Sequence, residues 1–122
     1  MKCVVTRVMI CEDDPLQSID LAAAVEDAGG AVCGCFRSSA EALAAAKRIL
    51  PDVALVDLTL ADGETGVELA LELSKLGCRI IILSGNSSSH PNLGRIAHSF
   101  ISKPFQREII GELMRPRAVA VG

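Results

Sequence analysis

Short apolar runs alternate along this chain with longer stretches in which apolar residues recur at helical spacing. The runs predict strands at residues 6–11, 31–36, 53–57, 79–83 and 99–102. The third, Val53-Ala54-Leu55-Val56, is too apolar to alternate, as expected of a parallel strand covered on both faces. Asp14-Pro15 opens the first helix, with Asp14 as N-cap and Pro15 where a missing N–H costs nothing. Ile19, Ala22 and Ala23 continue that helix, and Gly29-Gly30 ends it. Ser38-Ser39-Ala40-Glu41 is a capping box for a second helix carrying Leu43, Ala46, Ile49 and Leu50, which Pro51 stops. A loop over 58–65 leads into a helix at 66–76, closed by Gly77. Residues 85–92 have loop chemistry, leaving a turn or two of helix between Pro91 and Ala97. A last helix at 106–114 stops before Pro116.

Five strands and about five helices in alternation predict a doubly wound α/β fold. Its parallel sheet takes right-handed crossovers and the strand order 2-1-3-4-5. At 122 residues the chain reads as one domain spanning 1–122, because the tail after Met114 is too short for an output domain.

Composition narrows the setting. Half the residues are apolar but only three are aromatic, so the core is aliphatic and alanine-rich. A net charge of -3 with no basic stripe argues against a nucleic-acid partner. Five cysteines, Cys3, Cys11, Cys33, Cys35 and Cys78, make an odd count without redox or zinc spacing. They read as small core hydrophobes in a reducing compartment. No leader pattern or span-length apolar segment occurs, so the expected location is the cytoplasm, away from membrane.

The apolar runs end on chemistry. The first meets Glu12, Asp13 and Asp14, the third Asp57, the fourth Ser84, and the fifth Lys103-Pro104. In a parallel sheet these ends share one edge, where open α/β sheets place their sites. Carboxylates on adjacent strands raise one another's pKa unless a cation lies among them. An all-oxygen set suits Mg²⁺, which commonly also binds phosphate oxygens. Ser84 and Lys103 supply a hydroxyl donor and a positive charge for an oxyanion. Asp57, the most enclosed carboxylate, can act as a nucleophile toward phosphorus.

The segments VMICEDDP (8–15), ALVDLTLADGETGVEL (54–69), IIILSGN (80–86) and SFISKPF (99–105) resemble the response-regulator receiver domain. The resemblance covers nearly the whole chain, with the signature positions in order, and implies a flavodoxin-like sheet. It implies Asp57 as phosphoacceptor and Asp13 as a direct Mg²⁺ ligand. Glu12 would act largely through water, with the carbonyl of Thr59 as a further ligand. Ser84 would hydrogen-bond one phosphoryl oxygen and Lys103 would pair with another. Lys103-Pro104 matches a step that is commonly cis. Phe100 occupies an aromatic position able to rotate when Ser84 moves, although the same ring could simply be core. The resemblance further implies a histidine kinase or histidine phosphotransfer protein as phosphodonor and a separate downstream protein as target. No enzyme activity is implied beyond self-catalysed phosphoryl acceptance and slow autodephosphorylation, with Thr59 and Asn86 flanking the route of the attacking water.

The chain departs from the common receiver pattern in three places. Ala61 stands where proline is frequent, and the loop to Gly66 is one residue longer than usual. The segment between the fourth and fifth strands is too short for a full helix, as in some stand-alone regulators and receivers of hybrid kinases. A phosphate sink or carrier is the alternative within this reading. A haloacid-dehalogenase-like phosphatase is less favoured, because Thr59 stands where that family needs a second aspartate. A dinucleotide site is not supported, since no G-x-G-x-x-G follows the first strand. Asp62 and Glu64 read as solvated loop acids, and His90 and His98 as surface histidines.

Overall fold

The computed structural model describes residues 5–85 and 91–114. Cys3, Asn86, His90, Pro116 and the tail over 115–122 lie outside the described residues. The elements run β1 (Arg7–Cys11), α1 (Pro15–Asp27), β2 (Ala31–Phe36), α2 (Ser39–Ile49), β3 (Val53–Asp57), α3 (Gly66–Lys75), β4 (Arg79–Ser84), a 3-10 helix (Pro91–Arg95), β5 (His98–Ser102) and α4 (Arg107–Met114). All strand pairs are parallel and their order is β2-β1-β3-β4-β5. This is the expected doubly wound, flavodoxin-like α/β fold. The described residues hold four α-helices and one 3-10 helix, and in the described part of the β4–β5 crossover the 3-10 helix is the short turn that its Gly/Pro content allows.

Two apolar layers sandwich the sheet. Val8, Ile10, Leu55, Ile81 and Leu83 pack beneath Leu21, Val25, Ile110 and Met114 of α1 and α4. On the opposite face Met9, Cys11, Val56, Ile80 and Ile82 meet Ala42, Ala46, Leu69 and Leu73 of α2 and α3. β3 is buried at every position, which accounts for its lack of alternation. The helix starts follow the sequence signals. Asp14 Oδ1 accepts from Leu16 N at 2.9 Å, and Ser38 Oγ accepts from Glu41 N at 3.2 Å.

Two expectations are corrected at the sheet edges. The β1–β2 register shifts between Val8 and Met9, so that Val8 faces Val32 while Met9 faces Gly34. Cys33 is the extra residue of this bulge and packs toward α2, whereas Cys35, opposite Ile10, opens toward α1. Cys35 is exposed rather than core, although Cys11 and Cys78 are buried as expected. Phe100 lies on the edge strand β5 and is 41% exposed, so it is not a core ring. It borders a cleft with Phe105 and Ile109.

Candidate functional site

The strand ends converge because the register puts them level. Asp57 closes β3 opposite Leu83, and Ser84 closes β4 opposite Ser102, one residue before Lys103. Lys103 N donates to Ser84 O at 2.9 Å, which holds the β5 exit beside the β4 exit. On the other side of β3, Glu12 follows β1, its amide donating to Phe36 O at 2.9 Å. Glu12, Asp57 and Ser84 are the buried polar side chains among the described residues. Asp13 is half-buried beside them, and Thr59 is exposed on the loop that follows Asp57.

Lys103 is the hub. Its Nζ donates to Glu12 Oε1 at 2.8 Å and to Asp57 Oδ2 at 2.5 Å. The second Asp57 oxygen, Oδ1, accepts from Thr59 N at 3.0 Å. The other Glu12 oxygen, Oε2, is buried and has no hydrogen-bond partner. Burial pushes the Glu12 carboxyl from its ordinary 4.5 up to about 7; Asp57 adds to this and Lys103 opposes it. For Lys103, burial alone would lower the pKa, but the hydrogen bonds and charges of Asp57 and Glu12 outweigh it and raise the value.

Three carboxylates therefore face one ammonium in a half-closed crevice. Oxygens of Glu12, Asp13 and Asp57 lie within 4.8 Å of one another. An orphaned buried carboxylate oxygen inside an all-oxygen cluster is the condition that a hard divalent cation relieves. The residues present fit Mg²⁺. The Lys103–Pro104 peptide is cis, in keeping with its Lys-Pro sequence. Pro104 and Phe105 then line a cleft with Gln17 and Asp20 of α1, with Lys103 at its edge.

Glu12, Asp13, Asp57 and Lys103 thus meet, and Ser84 ends the neighbouring strand. Phe100 does not join them, because it projects from the outer strand. His98 is half-buried, with Nδ1 2.8 Å from Ile96 O, so it is tied to backbone rather than set as a free surface group. Asp14 serves as the α1 cap. Two residues of the site's frame carried no distinctive sequence signal. Gly66 starts α3 so close to β3 that a Cβ there would sit 2.3 Å from the Asp57 carbonyl oxygen and 2.5 Å from Leu58 Cα. Asp62, expected to be merely solvated, is exposed yet accepts four hydrogen bonds.

Comparison with known proteins agrees with this geometry. The sequence model of the response regulator receiver domain matches residues 8–115. The Phyllosphere-induced regulator PhyR of Methylorubrum extorquens AM1 is 35% identical over 104 residues, covering 83% of this chain and 39% of PhyR. The chain thus spans well under half of that relative. The receiver domain of a modulated diguanylate cyclase from Desulfovibrio desulfuricans G20 superposes with a TM-score of 0.80 at 28% identity, covering 91% of this chain and 94% of that one. PhyR from Brucella abortus gives a TM-score of 0.75 at 30% identity, over 90% of this chain and 46% of that one.

Proposed function

We propose that this chain, which belongs to the response-regulator receiver family, accepts a phosphoryl group on Asp57 from a phosphohistidine and thereby switches a partner protein. The carrying observation is the Lys103 ammonium shared by Asp57 and Glu12, with an orphaned Glu12 oxygen beside it. Asp57 presents a buried carboxylate whose position is fixed by Lys103 and by Thr59 N. A bond forms between an Asp57 oxygen and phosphorus as the P–N bond of the donor breaks. The departing imidazole keeps the electron pair and takes up a proton.

Glu12, Asp13, Asp57 and the carbonyl of Thr59 would hold Mg²⁺, which when bound offsets negative charge on the transferring group. Lys103 pairs with a phosphoryl oxygen from the β5 side, and Ser84 offers its hydroxyl to another. The donor is a histidine kinase or a histidine phosphotransfer protein, and the reaction runs in the cytoplasm. Among the described residues no helix is long and apolar enough to cross a membrane. Apart from its own acyl phosphate, the chain turns over no substrate.

The test combines Mg²⁺ with beryllofluoride or acetyl phosphate, read by intact mass and by amide NMR shifts. A single adduct that disappears in Asp57→Asn is expected. An unmodified wild-type protein with unshifted spectra would defeat the proposal. Rapid loss of the phosphoryl group without change beyond the sheet edge would instead assign a phosphate sink.

A further inference from the structure

The loop between β3 and α3 is tied to a helix that begins more than twenty residues earlier. Asp62 Oδ1 accepts from Ser39 N at 3.0 Å and from Thr65 Oγ1 at 2.8 Å. Asp62 Oδ2 accepts from Ser39 Oγ at 2.6 Å and from Ala40 N at 3.3 Å. Every acceptor direction of the carboxylate is used. Ser39 and Ala40 are the first two residues of α2, whose amides have no intrahelical partner. Ser38 Oγ takes the third amide, that of Glu41. The cap of α2 is therefore built by two residues, one of them from a distant loop.

This tie is one of several that hold the same loop. Ala61 N donates to Arg37 O at 2.8 Å, so the backbone joins the β2–α2 connection as well. Leu60 and Gly63 exchange reciprocal hydrogen bonds of 2.8 and 3.0 Å, closing the turn that presents Asp62. At the loop's ends, Thr59 N donates to Asp57 Oδ1 and Gly66 N to Leu58 O, at 3.0 and 3.1 Å. Thr59 thus lies between an anchor on the acceptor carboxylate and an anchor on α2. The Asp62 charge is committed to the positive end of α2 and to hydroxyl donors, not to the acidic crevice.

We infer that Asp62 is a positioning residue: by stapling the β3–α3 loop to the N-terminus of α2, it fixes the Thr59 carbonyl relative to Asp57 and so sets the affinity of the site for Mg²⁺. This rests on the receiver reading above. Outer-shell contacts that orient a ligand typically change metal affinity by tenfold or more when removed. The staple also makes α2 an element that senses the acceptor, because its first amides and the loop share one carboxylate.

Ser39→Ala is the discriminating variant. It removes the 2.6 Å hydroxyl bond while keeping the Asp62 charge and the loop sequence. Asp62→Asn is the second variant, since its amide retains one acceptor oxygen. Mg²⁺ affinity is measured by NMR titration, together with amide exchange over 38–42 and 58–66 and a thermal melt for each protein. The expected result is Mg²⁺ binding weakened about tenfold in Asp62→Asn, and by a smaller factor in the same direction in Ser39→Ala. Amide exchange should quicken in both segments, and Mg²⁺ with beryllofluoride should slow exchange over 38–42 in the wild type only. Mg²⁺ affinities within twofold of wild type in both variants would overturn the inference, even if the melts fall, because a purely structural cap moves stability alone. A wild-type protein that binds neither Mg²⁺ nor beryllofluoride would overturn the receiver reading itself, a result distinct from equal affinities across the three proteins.

Discussion

Glu12 should make metal binding depend on pH in a defined direction. Its carboxyl is held up to about 7 in the metal-free protein, chiefly by burial, against an ordinary value of 4.5. In the unfolded chain it ionises near the ordinary value. Between the two values folding takes up a proton, so the favourable contribution is complete below about 4.5 and is lost as pH rises through about 7. At pH 8 the folded protein carries the full difference, on the order of 3 kcal/mol. A cation among the carboxylates favours the ionised form, so below about 7 each Mg²⁺ bound must expel that proton. The apparent affinity should be about tenfold weaker at pH 6 than at pH 8. Calorimetric titration at both pH values, in buffers of different ionisation enthalpy, measures affinity and proton release together. About one proton should leave per Mg²⁺ at pH 6 and almost none at pH 8. Equal affinities at the two pH values with no proton release at pH 6 would refute the reasoning. Glu12→Gln should flatten the dependence.

Lys103→Met leaves two buried carboxylates without their shared donor and should cost about 3 kcal/mol at pH 8. Urea denaturation should show a smaller loss at pH 5, where Glu12 is protonated and only its share of the penalty is relieved; equal losses at both would contradict the charge argument. Gly66→Ala would gain about 1 kcal/mol of helix propensity on an exposed surface, but here its Cβ meets backbone at 2.3 and 2.5 Å. A net loss of about 2 kcal/mol, or about 8 °C in melting temperature, is expected, and an unchanged melt would show that α3 can move away from β3 freely.

The sheet was legible because its strands are apolar throughout and its helix starts carry their own caps. Val53 to Val56 reads as an inner parallel strand and is buried throughout, and Asp14 and Ser38 cap the helices they precede. Glu12, Asp57 and Lys103 were legible for a related reason: each is the first charged residue at the end of a run, with Asp13 directly after Glu12, so topology makes all four neighbours. Ser84 shared that signal. What escaped depends on contacts between distant residues. Asp62 looks like any loop acid until α2 is placed beside it. Gly66 looks like an ordinary helix start until Asp57 and Leu58 are seen against it. Phe100 was open to a core or a switch reading: the strand order places its strand at an edge of the sheet, but not whether a helix covers the ring there, which is 41% exposed. Cys35 was misread because its burial depends on a single inserted residue in the neighbouring register.

That inserted residue has a practical outcome for thiol chemistry. Because the bulge turns Cys33 and Cys35 to opposite sides of β2, an oxidant cannot stitch this neighbouring pair into a disulfide without unpicking the strand. Cys11 is sealed in the interior, and the Cys78 thiol donates to Pro51 O at 3.2 Å. Among the described thiols, Cys35 is left as the natural attachment point for a fluorophore or spin label. There it shares a cleft with Glu12, Ser18 and Arg37, close enough to the acidic crevice for the label to report on what happens in it.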